Sequence, residues 1–484
     1  MIVDGNTLCR IFFRNLWLAL NISACASSHS NSFDTDAPGD SASESDSKDA
    51  GQEDSGLEDS DSSSEADAPD YDAIFVEDRL TDWELTVEDE QWILLLADPD
   101  VYVEADLTVD GVLYPKVGLR ILGKPDRAKV SMRLRFDQVD PNQTFHGVKR
   151  VNLHAEAGDT SMIREAMALS LMRDGGVSAP RASFVWMKTN QGSKGVYTLI
   201  EQVDKKFLMD RFGEDRGNLY KGERGASLLY LGDDQSLYPD TTYELKTNED
   251  ENDRSDLINF TKVLNQSDPN ELDDALPQVL DVDGFLTWLA MNTWMVSMDS
   301  YAGSVDNYYF YHGADGRFRF IPWDLNQAFG NYHGASCSGA GSLDCIEPMG
   351  VNEYSTLNPD EPYCACSKGM RPLIEKVLER PVFQDRYHEI LGELISHTLD
   401  LERVKSKMQS LRDRIEEAAH LDTQKDCYQP PCTNEIYDAA LDRDDPESTI
   451  ENRVPGLVPF IEIRNQTISA ALISRATPFP STGE

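Results

Sequence analysis

From Trp83 the apolar positions alternate. Trp83, Leu85 and Val87 are separated by Glu84 and Thr86, the two-residue period of a strand with one buried face. A short helix or turn follows in QWILLLADP. VYVEADLTVDGVLYPKVGLRILG then reads as two strands about an Asp110-Gly111 turn. KVSMRLRFDQ is a further alternating strand, with Met132, Leu134 and Phe136 on one face and Arg133 and Arg135 on the other. Met162 to Arg173 has helical spacing and stops at Gly175-Gly176. ASFVWMKTNQGSKGVYTLIEQV forms a hairpin about a polar turn. Past about Thr247 the period changes. Leu257 to Leu264, Val282 to Met298, Pro372 to Ser396 and Leu401 to Ala419 all read as helices, and in the last Leu401, Val404, Met408, Leu411 and Ile415 recur at three- and four-residue steps. One hairpin interrupts this half, NYYFYHGADGRFRFIPWDLNQAFG, turning at Asp315-Gly316. The pattern predicts an α+β protein of two lobes: 71–246 built on a mixed or antiparallel sheet, 247–484 mainly helical, with ligands between them.

Composition changes the picture at the N-terminus. Ala26 to Asp70 holds fourteen acids against one Lys among Ser, Ala and Gly, too little apolar surface to offset the entropy of ordering; 26–70 is expected to be a disordered tether. Residues 1–25 read as a signal peptide. Arg10 and Arg14 precede a short apolar run, and Ile-Ser-Ala-Cys25 resembles the end of a bacterial lipoprotein signal. Export to the cell envelope or surface, with a lipid on Cys25, is the expectation. No later segment approaches 18 uninterrupted apolar residues, so no span is expected. The other cysteines past the leader number six: Cys337, Cys345, Cys364, Cys366, Cys427 and Cys432. An even set suits disulfides of an exported protein; Cys-Ala-Cys and Cys-Tyr-Gln-Pro-Pro-Cys are not zinc-knuckle spacings. The net charge of −42 argues against nucleic acid or an anionic membrane surface as partner. It also repels ATP, so a nucleotide site needs local cations and a metal.

The candidate chemistry lies at the mouth of the late hairpin. A turn at Ala314-Asp315 sets Asn307 opposite Pro322 and Val305 opposite Asp324. Cross-strand side chains at such spacing lie roughly 5 Å apart, or 7–8 Å on the diagonal, within reach of one Mg²⁺ or Mn²⁺. Asp299 follows an apolar helix and stands eight residues before Asn307, placed to orient a hydroxyl and accept its proton. The plainer alternative, a turn carboxylate bonded to nearby backbone, stays open on the residues alone. His146 and His154 read as isolated structural histidines, and Asp442–Ser448 as a solvated acidic loop without EF-hand spacing.

NLHAEAGDTSMIREAMALSLMRDGG, GVYTLIEQVDKKFLMDRF, GNLYKGE, YELKTNE, NYYFY and FRFIPWDLNQAFG, in that order, resemble the spore-coat protein H (CotH) kinase family of secretory atypical protein kinases, over roughly Trp83 to Leu394. The resemblance implies a divergent protein-kinase-like bilobal fold and transfer of the ATP γ-phosphoryl group to Ser or Thr of a protein substrate. It makes Asp299 the catalytic aspartate, Asp324 a metal ligand and Asn307 a second, with Asp306 competing. The family's Arg-Gly-Asn segment is only partly kept, as Arg120 and Gly123. Arg133 and Arg135 stand where lysines are expected and become candidates for phosphate contact, with Glu201 as partner of such a cation or as a second metal ligand. Lys246, and less so Lys221, could also face phosphate. Two alternatives remain: a catalytically inactive kinase-like assembly or binding protein, and transfer of AMP.

Overall fold

The computed structural model describes residues 68–123, 127, 129–192, 194–331, 371–426, 432–444 and 454–476. The leader, nearly all of the acidic tether, residues 445–448 and every cysteine except Cys432 lie outside the described residues.

Seven strands close into a barrel: β1 (Thr81–Val87), β2 (Val103–Val109), β3 (Val112–Leu122), β4 (Ser131–Arg135), β5 (Arg150–His154), β6 (Ala182–Thr189) and β7 (Lys194–Glu201), in the order β1-β2-β3-β4-β5-β7-β6. Neighbours are antiparallel except at the closure, where β1 runs parallel to β6 with Thr81 beside Val185. The β2–β3 turn has Asp110 at φ +46° and Gly111 at +85°, the left-handed pair that a two-residue hairpin needs. Alternation holds along β1: Trp83, Leu85 and Val87 are buried and Asp82, Glu84 and Thr86 exposed. These residues join Leu107, Leu119, Leu134, Phe136, Phe145 and Leu153 in the barrel core.

Strands β6 and β7 are apolar on both faces because both are covered. Val185, Met187, Tyr197 and Leu199 point into the barrel, while Phe184, Val196 and Ile200 join a second, larger core. Helices in the first part are α1 (Tyr71–Ile74), α2 (Asp89–Ala97), α3 (Arg164–Asp174) and α4 (Lys205–Phe212). After them come β8 (Leu219–Gly222) and β9 (Tyr243–Leu245), then α5 (Ser255–Gln266), α6 (Leu272–Val279), α7 (Val282–Met295), the hairpin β10 (Tyr308–His312) and β11 (Phe318–Pro322), and helices α8 (Pro372–Leu378), α9 (Pro381–Ser396), α10 (Leu401–Leu421), α11 (Asn434–Ala439) and α12 (Leu457–Ala476).

Two details depart from the sequence pattern. β8 and β9 precede residue 247, yet they pair with the late hairpin in a four-stranded sheet ordered β11-β10-β8-β9, so a division at 246/247 cuts off part of that sheet. Pro372–Ser396 is two helices, because Pro381 has no amide hydrogen to continue α8 and starts α9 at its first turn. The hairpin's aromatic rings explain its apolar sequence. Tyr308 stacks on Phe320 with centroids 5.4 Å apart, and Phe310 on Tyr220 at 5.1 Å. Among the described residues no helix is long and apolar enough to cross a membrane.

Candidate active site

Helix α7 ends at Val296, left-handed at φ +48°, and hands the chain to a tight loop. Ser304 N–H donates to the Met298 carbonyl at 2.9 Å and Val305 N–H to the Ser300 carbonyl at 3.0 Å. A Cβ on Gly303 would stand 1.7 Å from the Met298 carbonyl oxygen, so the loop closes only around glycine. Val305 sits at φ +65°, Asn307 at +53° and Asp324 at +49°. For non-glycine residues such conformations cost of order 1–3 kcal/mol each and persist where the surroundings impose them.

The loop carries Asp299, which is 1% exposed. Its Oδ1 accepts from the Ser304 hydroxyl at 3.0 Å and its Oδ2 from Gln327 Nε2 at 2.6 Å. The same Ser304 hydroxyl reaches Asp306, so one proton serves two carboxylates. Asn307 donates through Nδ2 to the Asp299 carbonyl at 3.3 Å, which ties the two residues together and leaves its Oδ1 as the side-chain acceptor.

The hairpin register differs from the expected one by a residue. Tyr308, not Asn307, faces Pro322. The reversal is a wider turn in which Gly313 N–H donates to the Arg317 carbonyl at 3.0 Å, with Gly316 at φ +78°. Asn307 and Asp324 therefore both lie past the last paired rung, where the backbone leaves the extended region.

Asp324 is 4% exposed and meets two residues from other elements. His154 at the end of β5, Glu165 in the first turn of α3 and Asp324 offer ligand atoms within 4.8 Å of one another. His154 Nδ1 and Glu165 Oε2 are 2.7 Å apart. Trp323 fixes the imidazole edge-on, with centroids 5.7 Å apart. Glu165 Oε1 is buried without a hydrogen bond, and the fully buried Glu156 carboxyl has only the Thr198 hydroxyl beside it as a side-chain donor. Burial, then the charges of Glu165 and Asp159, push the Glu156 pKa up to about 8. Asp159 itself is satisfied by Ser161 and by Arg164 Nη1 at 2.7 Å. Buried carboxylates short of donors beside an Asp and a His are a donor set suited to a divalent cation. His154, expected to be an isolated structural histidine, is thus part of the site.

A cavity of about 30 Å³ opens here, lined by Gly123, Arg127, Lys129, Ser131, Glu156 and Asp324 among others, a volume that admits one water or one ion. Lys129 and Arg127 come from the connection between β3 and β4. Lys129 is buried against Asp422 at 2.9 Å, and Arg127 pairs with Asp426 at 2.9 Å. Neither was singled out from sequence. None of Arg133, Arg135, Glu201 and Lys246 lines the cavity. Arg133 lies one rung deeper on the same sheet face, beside Arg120, and bonds Asn152 at 2.9 Å. Arg135 bonds Asp137 at 2.9 Å. Glu201, expected with those arginines, is instead gripped by Arg181 and Arg211, each at 2.9 Å; burial raises its pKa while the two arginines oppose the rise. Lys246 pairs with Glu244 at 3.1 Å, and Lys221 with Glu223 at 2.9 Å.

A protein-family model described as CotH kinase protein matches residues 119–468. The chain belongs to the CotH kinase protein family. Inner spore coat protein H of Bacillus subtilis (strain 168) is 26% identical over 305 residues, 62% of this chain and 76% of that protein. The match reaches beyond Leu394 and takes in α10 and most of α12, so the Asp422 that holds Lys129 lies inside the CotH region. Among solved structures, the HipA, HipB and operator DNA complex of Shewanella oneidensis MR-1 covers 82% of this chain and 75% of its own at 12% identity and TM-score 0.32. The proinflammatory kinase CtkA of Helicobacter pylori covers 72% and 94% at 11% identity and TM-score 0.27.

Proposed function

We propose that this CotH family member is an exported, metal-dependent protein kinase with a bilobal, kinase-like arrangement, transferring the γ-phosphoryl group of ATP to a Ser or Thr hydroxyl of a protein substrate. The observation that carries the reading is the gathering of Asp324, Glu165 and His154, whose ligand atoms lie within 4.8 Å of one another, beside a cavity that Lys129 and Arg127 help to line. In protein kinases a strand lysine pairs with a helix glutamate beside a metal-binding aspartate; here a strand-end histidine, His154, and the α3 glutamate Glu165 stand 2.7 Å apart beside Asp324.

Asp324 would hold Mg²⁺ or Mn²⁺, with Asn307 Oδ1 and Glu165 as further oxygen donors. Bound there, the ion would neutralise charge developing on the phosphates. Asp299 is fixed by Ser304 and Gln327, so its carboxylate is pre-aimed rather than mobile. It orients the acceptor hydroxyl. The hydroxyl oxygen forms the new bond to the γ-phosphorus as the β–γ bridging P–O bond breaks, ADP leaves, and the hydroxyl proton passes to Asp299. Lys129 and Arg127 are the cations lining the cavity, the first paired with Asp422 and the second with Asp426, and would face the phosphates there. Cys25 as a lipid-bearing residue after a cleaved leader, and disulfides among the later cysteines, complete the reading of an exported enzyme.

The test is transfer of labelled phosphate from ATP with Mn²⁺ to acceptor proteins, by wild type, Asp299→Asn and Asp324→Asn. Loss of transfer in both folded variants is expected; full transfer by either defeats the assignment. The small volume of the cavity favours one second reading, a kinase-derived binding protein. In that case ATP with Mn²⁺ gives no thermal stabilisation. An adenylate rather than phosphate mass increment on the acceptor would reveal AMP transfer.

A further inference from the structure

Helices α3 and α10 flank a second cavity, of about 360 Å³, lined by Ser170 and Arg173 of α3 and by Ser406, Lys407, Ser410 and Arg414 of α10. The α10 residues fall at three- and four-residue spacing and so form one stripe along that helix. In a chain of net charge −42 this wall concentrates cations. The half-buried Arg414 guanidinium makes no hydrogen bond or ion pair among the described residues. Burial draws its pKa down, against the longer-range charges of Glu77 and Asp78. Burial also lowers the pKa of Arg173, again with Glu77 opposing, and Arg173 donates to the Pro180 carbonyl. Lys407 bonds Ser170 Oγ at 2.6 Å and Asp174 at 2.9 Å. Arg403 reaches the same Asp174 at 3.4 Å from an exposed position. Glu77 also lines the cavity, and with Asp174 on Lys407 it is the negative charge that a bound anion would meet.

We propose that this groove binds a compact phosphate-bearing anion. Two guanidinium forks, an ammonium and the Ser406 and Ser410 hydroxyls form the donor set that phosphate oxygens take. The volume lies in the range of small-ligand pockets and admits a pyrophosphate or a phosphorylated side chain. Such an anion bridges α3 to α10, and α3 carries the Glu165 that holds His154. The groove is therefore placed to brace the candidate active site from behind. Binding there does not depend on the chain being a kinase.

Calorimetric titration of the full chain with inorganic pyrophosphate, and separately with a phosphoserine peptide, tests the site. At least one is expected to bind, and Lys407→Gln with Arg414→Gln to weaken it about tenfold or more, the loss due to two charge-assisted contacts. Asp324→Asn should leave that binding unchanged. Ser410→Glu, at an exposed position, should also repel the anion if the double variant folds poorly. Tighter binding of the peptide assigns the phosphate to a side chain, and binding of pyrophosphate alone to a free anion. Binding of neither, unaltered affinity in the groove variants, or loss only in Asp324→Asn overturns the proposal.

Discussion

Lys129 and Asp422 are 293 residues apart in sequence and meet as a fully buried ion pair at 2.9 Å. Asp422 also accepts from Val196 N–H at 3.0 Å, and a Cβ on Gly195 would stand 2.3 Å from its Oδ2. The end of α10 is thus moulded onto β7 and onto the connection that roofs the candidate site. Asp422→Ala leaves a buried ammonium uncompensated and should destabilise by about 3–5 kcal/mol. Lys129→Met with Asp422→Leu should recover part of that loss. Urea unfolding of the three proteins checks this; equal stability of Asp422→Ala and wild type would refute it.

Gly303 gives a test of the loop that carries Asp299. Alanine there cannot coexist with the Met298 carbonyl 1.7 Å from its Cβ, so the loop must shift. Misplacement by about 1 Å can cost roughly a hundredfold in rate. Gly303→Ala should therefore fold with a lowered Tm and lose phosphotransfer by about that factor. A wild-type rate would separate the loop from the chemistry.

Glu156 predicts a pH dependence. Its folded pKa is raised from 4.5 to about 8, so between those values the folded state holds a proton that the unfolded state has released. Stability attributable to this group falls as pH climbs through that window and levels off above it. Glu156→Gln removes the loss. The variant should gain on wild type progressively from about pH 4.5 to pH 8, by a few kcal/mol at most. Parallel curves for both proteins would show that Glu156 does not titrate in this way.

A divalent ion that binds only the folded chain stabilises it by about 2.7 kcal/mol at a hundredfold excess over its Kd. Mn²⁺ should raise the Tm of wild type, and Asp324→Asn should abolish the rise. Glu165→Gln and Asn307→Ala divide the possible donor sets: whichever variant keeps the full shift is not a ligand.

Much of the frame is legible in the residues. The β2–β3 turn at Asp110-Gly111, the strand alternation of β1 and the stripe along α10 follow from local periodicity, and all three are found. The parallel pairing of β1 with β6 is not legible, because it joins segments about a hundred residues apart through backbone bonds that carry no pattern. The carboxylates of the late hairpin stood out because they follow an apolar strand, but the register slipped by one, since turn width depends on backbone torsions. His154 was passed over for a similar reason. Its meaning comes from Glu165 on the next helix and Asp324 on a distant strand end, and only the pairing of a strand-end histidine with a first-turn glutamate could have flagged it. Arg133, Arg135, Glu201 and Lys246 lie outside the lining of that cavity, each beside a nearer partner of opposite charge or a polar neighbour.

The parallel closure of β1 on β6 has a consequence for life at high concentration. An open seven-stranded sheet would present two rows of unsatisfied amides to any passing chain, an invitation to cross-β growth. Sealed into a ring, the barrel has no terminal strand to extend. The barrel escapes edge-to-edge pairing through its hydrogen-bond topology, even in salt strong enough to mask surface charge, and leaves β11 and β9 of the smaller sheet as the strand edges among the described residues.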